Sequence, residues 1–279
     1  MSPTINAFTV DVEDYFQVAA LASAVSRDSW PTREYRVVAN TERLLEILGE
    51  RGIQGTFFVL GWVAERSPDL VRRIAAAGHE VACHGYSHEL IYRQPREVFR
   101  EETARAKGLL EDALGGPVLG YRAASFSIVR DSLWALDDLI DLGFRYDSSI
   151  FAIRHDRYGI PDASPLPGKV TAPSGRSILE FPMAPANFFG LKIPVTGGGY
   201  FRIFPYRLTL AGLRRINAAG RPFAFYLHPW EIDPGQPRIS VGTISRFRHY
   251  TNLAQCQDRL RRLLKAFHFS TMSRILAAI

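Results

Sequence analysis

The sequence predicts an α/β protein, a distorted (β/α) barrel of seven or eight strands forming a single domain over residues 1–279. Runs with a helical period alternate with single short apolar runs, glycines stop the helical runs, and polar residues gather just beyond the apolar ones. Residues 7–12 (AFTVDV) open as a strand. Residues 44–51 read as a helix ended by Gly52, and 55–60 (GTFFVL) as a buried strand. A helix at 70–77 stops at Gly78 before a short strand at 79–83. The longer helix at 96–114 ends at Gly115, Gly116 and Pro117, with 118–121 extended behind it. Residues 133–142 are helical up to Gly143, and 144–146 form the next strand. Prolines at 161, 165, 167 and 173 make 153–176 an irregular excursion within the domain. Strands at 178–181, 223–227 (FAFYL) and 269–272 then alternate with helices at 206–219 and 253–267. Single strands separated by helices require parallel crossovers, hence a sheet covered by helices.

At 279 residues, 47% hydrophobic and 22% charged, the chain has enough apolar surface for a folded core and is not disordered. No apolar run is long enough to span a bilayer, and the N-terminal run has neither a basic nor a long apolar signal segment, so the expected compartment is the cytoplasm. Two cysteines, Cys83 and Cys256, suit free thiols in a reducing setting. The net charge of +6 is concentrated in the tail, where seven basic residues from Arg246 to Arg274 face Asp258 alone. Leu253, Leu260, Leu263 and Leu264 lie beside these arginines, which favours a solvated helix face; peripheral contact with lipid headgroups is the alternative, and no nucleic acid is expected.

In parallel α/β architectures chemistry collects at the C-terminal ends of strands. Here those ends read Asp11-Val12-Glu13-Asp14, His84-Gly85-Tyr86-Ser87-His88, Arg122, Asp147-Ser148-Ser149 and His228-Pro229-Trp230-Glu231. A helical turn would put His84 and His88 on one face, and a carboxylate from 11–14 would complete a set with open coordination, as catalytic metal sites have. Nitrogen and oxygen ligands without thiolate favour zinc, with cobalt, nickel or manganese as alternatives. Cys83 alternates away from His84 and reads as a small buried hydrophobe. Arg122 is the expected bidentate partner of Asp11, and His228 a general acid tuned by a carboxylate such as Asp147.

The set TVDVED (9–14), HGYSH (84–88), RAASFS (122–127), YDSS (146–149) and LHP (227–229) resembles, in order and spacing, the five motifs of NodB-type polysaccharide deacetylases. The runs DVEDYFQV, HPWEIDPGQPR and GGGYFR are similar to the subgroup found beside exosortase (PEP-CTERM) exopolysaccharide loci. The resemblance spans roughly residues 7 to 238. It implies a metal-dependent hydrolase that removes N-acetyl groups from sugars of a polysaccharide or its precursor, with Asp11 as base, Arg122 orienting it and His228 as acid. His84 and His88 hold the metal with a motif-one carboxylate. That carboxylate is Glu13 if the strand stays extended, or Asp14 if the strand ends at Val12. Motif three here has Ala124-Ser125 where the family has Pro-Tyr, which leaves a backbone N–H near Ser125 for an oxyanion. Tyr200, Trp62 and Trp230 are candidates to stack on sugar rings. The rival readings are a cyclic amide or imide hydrolase on this fold and a glycan-binding protein without activity.

Overall fold

The computed structural model describes residues 3–155 and 157–279. The chain runs β1 (Ile5–Val12), α1 (Val37–Gly49), β2 (Thr56–Val59), α2 (Gly61–Arg66), α3 (Pro68–Ala76), β3 (Glu80–Cys83), α4 (Arg96–Leu114), β4 (Gly120–Tyr121), α5 (Ala135–Asp141) and β5 (Tyr146–Asp147). It continues through β6 (Gly168–Thr171), β7 (Ser177–Glu180), β8 (Ala186–Phe188), β9 (Leu191–Ile193), α6 (Gly198–Ile203), α7 (Tyr206–Ala218) and β10 (Ala224–Leu227). The C-terminal part holds α8 (Thr243–Tyr250), α9 (Leu253–Ala266), β11 (His268–Ser270) and α10 (Met272–Leu276).

The main sheet follows the order β10-β1-β2-β3-β4-β5-β7-β6, with β11 paired to the start of β1. Every neighbouring pair along it is parallel except β6 and β7. Among the described residues the end strands β10 and β6 do not pair, so the predicted barrel is an open, curled half-barrel. Seven of the eight residues of β1 are buried, which is why that strand reads as near-continuous apolar sequence around Thr9 and Asp11. The 153–176 excursion is not wholly irregular, since 168–171 form β6 in a hairpin with β7. Five short elements, α2, the β8-β9 hairpin, α6, α8 and α10, carry too few turns or pairs to show a period and were not expected from the pattern.

The basic tail largely serves the fold. Leu253, Cys256, Leu260, Leu263 and Leu264 form the buried stripe of α9. Arg259 donates to the carbonyls of Phe201, Arg202 and Phe204 at the end of α6, Arg261 pairs with Glu50, and Arg262 lies over the Tyr206 ring. Cys83 and Cys256 are buried free thiols, and burial pushes the Cys83 thiol up to about 12. No described helix is long and apolar enough to cross a membrane.

His79 opens the approach to β3, stacks near Phe57 and accepts the Gly55 N–H on Nδ1 at 3.1 Å, a bond only the neutral ring can make. Burial holds its pKa down to about 4, below the ordinary value of about 6.5. A depressed histidine stabilises the fold fully above pH about 6.5, and that contribution is lost as the pH falls toward 4. His79→Gln is therefore expected to flatten the slope of denaturant stability between pH 6.5 and 4 by about 1–2 kcal/mol across the window, and an unchanged slope would contradict this role.

Candidate active site

Parallel pairing in the register Val12↔Val59, Val59↔Cys83 and Cys83↔Tyr121 puts the strand C-termini at one end of the sheet. Asp11, Glu13, His84, His88, Ser125, Tyr200, His228 and Trp230 line one cavity there, of about 230 Å³. Arg122, directly after β4, is fully buried beside it. Its Nη1 donates to Asp11 Oδ1 at 2.6 Å and to Thr9 Oγ1 at 2.9 Å, while Nη2 and Nε reach Ser148 Oγ and Ser148 O. The expected bidentate bridge is thus a single charged bond, because the other nitrogens are spent on Ser148. Asp11 Oδ2 is left 3.9 Å from His228 Nε2.

The Arg122 carbonyl accepts from His84 Nδ1 at 2.8 Å. This bond fixes the tautomer and leaves the Nε2 lone pair available, and burial pushes the His84 pKa down to about 4, so the ring is neutral. His88 reaches the same place by another route than a helical turn: Gly85 and His88 both take left-handed backbone conformations, and the two rings lie 5.4 Å apart. Burial raises the Glu13 carboxyl, but the neighbouring His88 and His228 outweigh it and hold it at about 2.

Glu13, His84 and His88 each bring a ligand atom within 4.8 Å of the others, all buried. His88 Nε2 and Glu13 Oε2 approach to 2.8 Å without hydrogen-bond alignment, and Oε2 has no donor. A neutral imidazole, a second imidazole and an ionised carboxylate whose oxygen lacks a donor form a donor set suited to a divalent cation.

Asp14 is not part of that set. Its Oδ2 accepts the N–H groups of Arg36 and Val37 at the start of α1, and Oδ1 accepts that of Tyr15. The carboxylate caps a helix N-terminus, which also explains why α1 begins at Val37 rather than near residue 44.

His228 stands at the end of β10, and the carboxylate that holds it is Glu231 rather than Asp147. Its Nδ1 lies 2.7 Å from Glu231 Oε1, and Glu231 Oε2 accepts from the fully buried Arg202 at 2.6 Å. Burial lowers the His228 pKa, but Glu13 and Glu231 outweigh it and raise it to about 9; burial raises Glu231, and Arg202 and His228 bring it to about 2. Asp147 is spent on the Ser149 hydroxyl at 2.5 Å, beside Glu180, and burial pushes it up to about 6.

Ser125 lines the cavity in a left-handed conformation. Tyr200 does so with its hydroxyl 3.2 Å from that of Tyr158. Trp230 is buried and stacks on His228 and His249, with its N–H donated to Glu13 Oε1 at 3.3 Å, so it braces the site and offers no open platform for a sugar. Trp62 packs edge-on against Trp30 and Phe16. Arg202 and Tyr158 were missed by the sequence reading, and Glu231, named only as the last residue of its strand end, was given no role. The only local signal was the i, i+3 spacing of His228 and Glu231.

The family model described as Polysaccharide deacetylase matches residues 28–146, and one described as a domain of unknown function (DUF3473) matches 148–277. The peptidoglycan-N-acetylglucosamine deacetylase of Bacillus cereus is 30% identical over 115 residues, 41% of this chain and 40% of that protein. The chain thus spans about two fifths of that curated relative's length. The fold is similar to that of a polysaccharide deacetylase structure from Mycobacterium smegmatis, with TM-score 0.64, 22% identity and coverage of 100% and 94% of the two chains. It is nearly as similar to the structure of Puue allantoinase, with TM-score 0.63, 18% identity and coverage of 98% and 89%.

If Asp14 is a helix cap, Asp14→Ala lowers unfolding stability by about 1–2 kcal/mol and leaves the bound-metal stoichiometry at its wild-type value. Loss of metal in a folded Asp14→Ala protein, measured by elemental analysis, would return Asp14 to the ligand set.

Proposed function

This chain carries a NodB-type polysaccharide deacetylase domain, and on that premise we propose that it is a metal-dependent hydrolase that releases acetate from an N-acetylated sugar of a polysaccharide or its precursor, in exopolysaccharide biosynthesis. The observation that carries the proposal is the convergence of Glu13, His84 and His88 between an aspartate pinned by Arg122 and a histidine pinned by Glu231.

Glu13, His84 and His88 would hold the ion, and zinc fits two imidazoles and one carboxylate best. A bound divalent ion supplies Lewis acidity toward the acyl oxygen and lowers the pKa of water. Asp11 serves as general base through Oδ2, because Oδ1 is occupied by Arg122. Arg122 holds that carboxylate in place and aimed, a role lysine could not fill while also reaching Thr9 and Ser148. Ser125 lines the cavity, and its backbone N–H is the donor we assign to the developing oxyanion. His228 gives its Nε2 proton to the departing sugar amine, which leaves poorly without it, while Glu231 holds the Nδ1 proton in place.

The test is acetate release from N-acetylated oligosaccharides, with chelator and with zinc added back. Chelation is expected to abolish turnover and zinc to restore it. Asp11→Asn and His228→Ala keep metal and lose about 10²–10⁴-fold in kcat, whereas His84→Ala loses the metal. Full activity of metal-free His84→Ala would reject the scheme. Activity on a cyclic ureide alone would select the ring-amide reading, and glycan binding without acetate release in the zinc-loaded protein would select the non-catalytic one.

A further inference from the structure

The buried guanidiniums beside the cavity are neutralised by the protein: Arg122 by Asp11 and Arg202 by Glu231. Two more arginines, Arg157 and Arg248, line the cavity, and among the described residues neither has a carboxylate within salt-bridge distance. Arg157 is half-buried, and its Nε is fully buried without a hydrogen-bond acceptor. Arg248 is exposed to solvent, so the group left unmet is the buried Arg157 Nε, which lacks an acceptor unless a ligand supplies one.

The two arginines come from separate segments, the 153–167 excursion and α8, yet both guanidiniums are near enough to the Tyr158 hydroxyl to oppose the rise that burial gives its pKa. Tyr158 is bonded to Tyr200, so two cations and two hydroxyls furnish one stretch of the cavity wall. All four residues lie within 148–277, outside the segment that matches the deacetylase family.

From this convergence of Arg157 and Arg248 on one wall of the cavity we infer that the substrate is an acetylated sugar bearing an anion, a carboxylate or a phosphate, which these guanidiniums bind while the acetamide faces Asp11 and His228. Arginine suits either oxyanion, because its planar fork matches both. The inference rests on the deacetylase reading for the acetamide and on the two cavity-lining guanidiniums, with the unmet Arg157 Nε, for the anion.

Binding is measured by calorimetry on the zinc-loaded Asp11→Asn protein with a hyaluronan tetrasaccharide, UDP-N-acetylglucosamine and tetra-N-acetylchitotetraose, which present carboxylates, phosphates and no charge. One anionic probe is expected to bind at least about tenfold tighter than the neutral one at low salt, with the gap closing as salt rises. Arg157→Gln and Arg248→Gln, made in the same background, each narrow the gap and together remove it, with melting temperatures reported as a fold control. The better anionic probe identifies the source of the charge. Equal binding of charged and neutral probes, or a preference that survives in the double variant, overturns the inference. Arginine-dependent anion binding without acetate release from any probe by the wild-type enzyme would remove the deacetylase reading and leave the anion site standing.

Discussion

The ion pair between Arg122 and Asp11 is the constraint from which the rest of the site follows. A fully buried guanidinium is tolerated only when its charge is matched and its N–H groups are met, and here Asp11 and Thr9 of β1 and Ser148, just beyond β5, meet them. The same residue sets the second half of the site through its carbonyl, which fixes the His84 tautomer. Side chain and main chain of one arginine thereby orient both the Asp11 carboxylate and a metal-competent imidazole. Breaking the pair strands a charge in the centre of the sheet, so structural and chemical roles cannot be separated at this position.

A second arginine repeats the device at the far side. Arg202 is as buried as Arg122 and is matched by Glu231, which in turn holds His228, while its other N–H groups bind the carbonyls of Arg248, His249 and Thr251. Asp11 is itself the partner of one buried guanidinium, His228 is held by the carboxylate that pairs with the other, and Asp11 Oδ2 and His228 Nε2 face each other across 3.9 Å. Gly197 ties this framework to the sheet: it bridges to Tyr226 with a positive φ, and a Cβ there would lie 2.0 Å from the Tyr226 carbonyl oxygen. Only glycine allows the approach that sets α6, with Arg202, against β10.

Elements governed by local pattern were legible in the sequence. The 96–114 helix was read to the residue, because its period is long and Gly115 takes the left-handed cap conformation. Asp11, Glu13, His84, His88, Arg122 and His228 were found together because each marks the end of a strand, and parallel topology brings such ends to one side. What sequence could not show was how the carboxylates divide their work. Asp14 is bound to backbone over twenty positions away, and Asp147 is absorbed by Ser149 and Glu180, so in both cases tertiary contacts assigned the charge. Glu231 lay only three residues from His228, but nothing in the spacing revealed that Arg202 would keep it ionised.

The pairing of β1 carries a consequence for the order in which this molecule is made. The first strand is flanked by β2 and by β10, and its start is also paired with β11, so it waits for partners more than two hundred residues downstream. During synthesis the emerging chain exposes the apolar β1 with one ladder unfilled until β10 and β11 have left the ribosome. Such non-local closure makes for slow folding and a long window of vulnerability to association with other nascent chains.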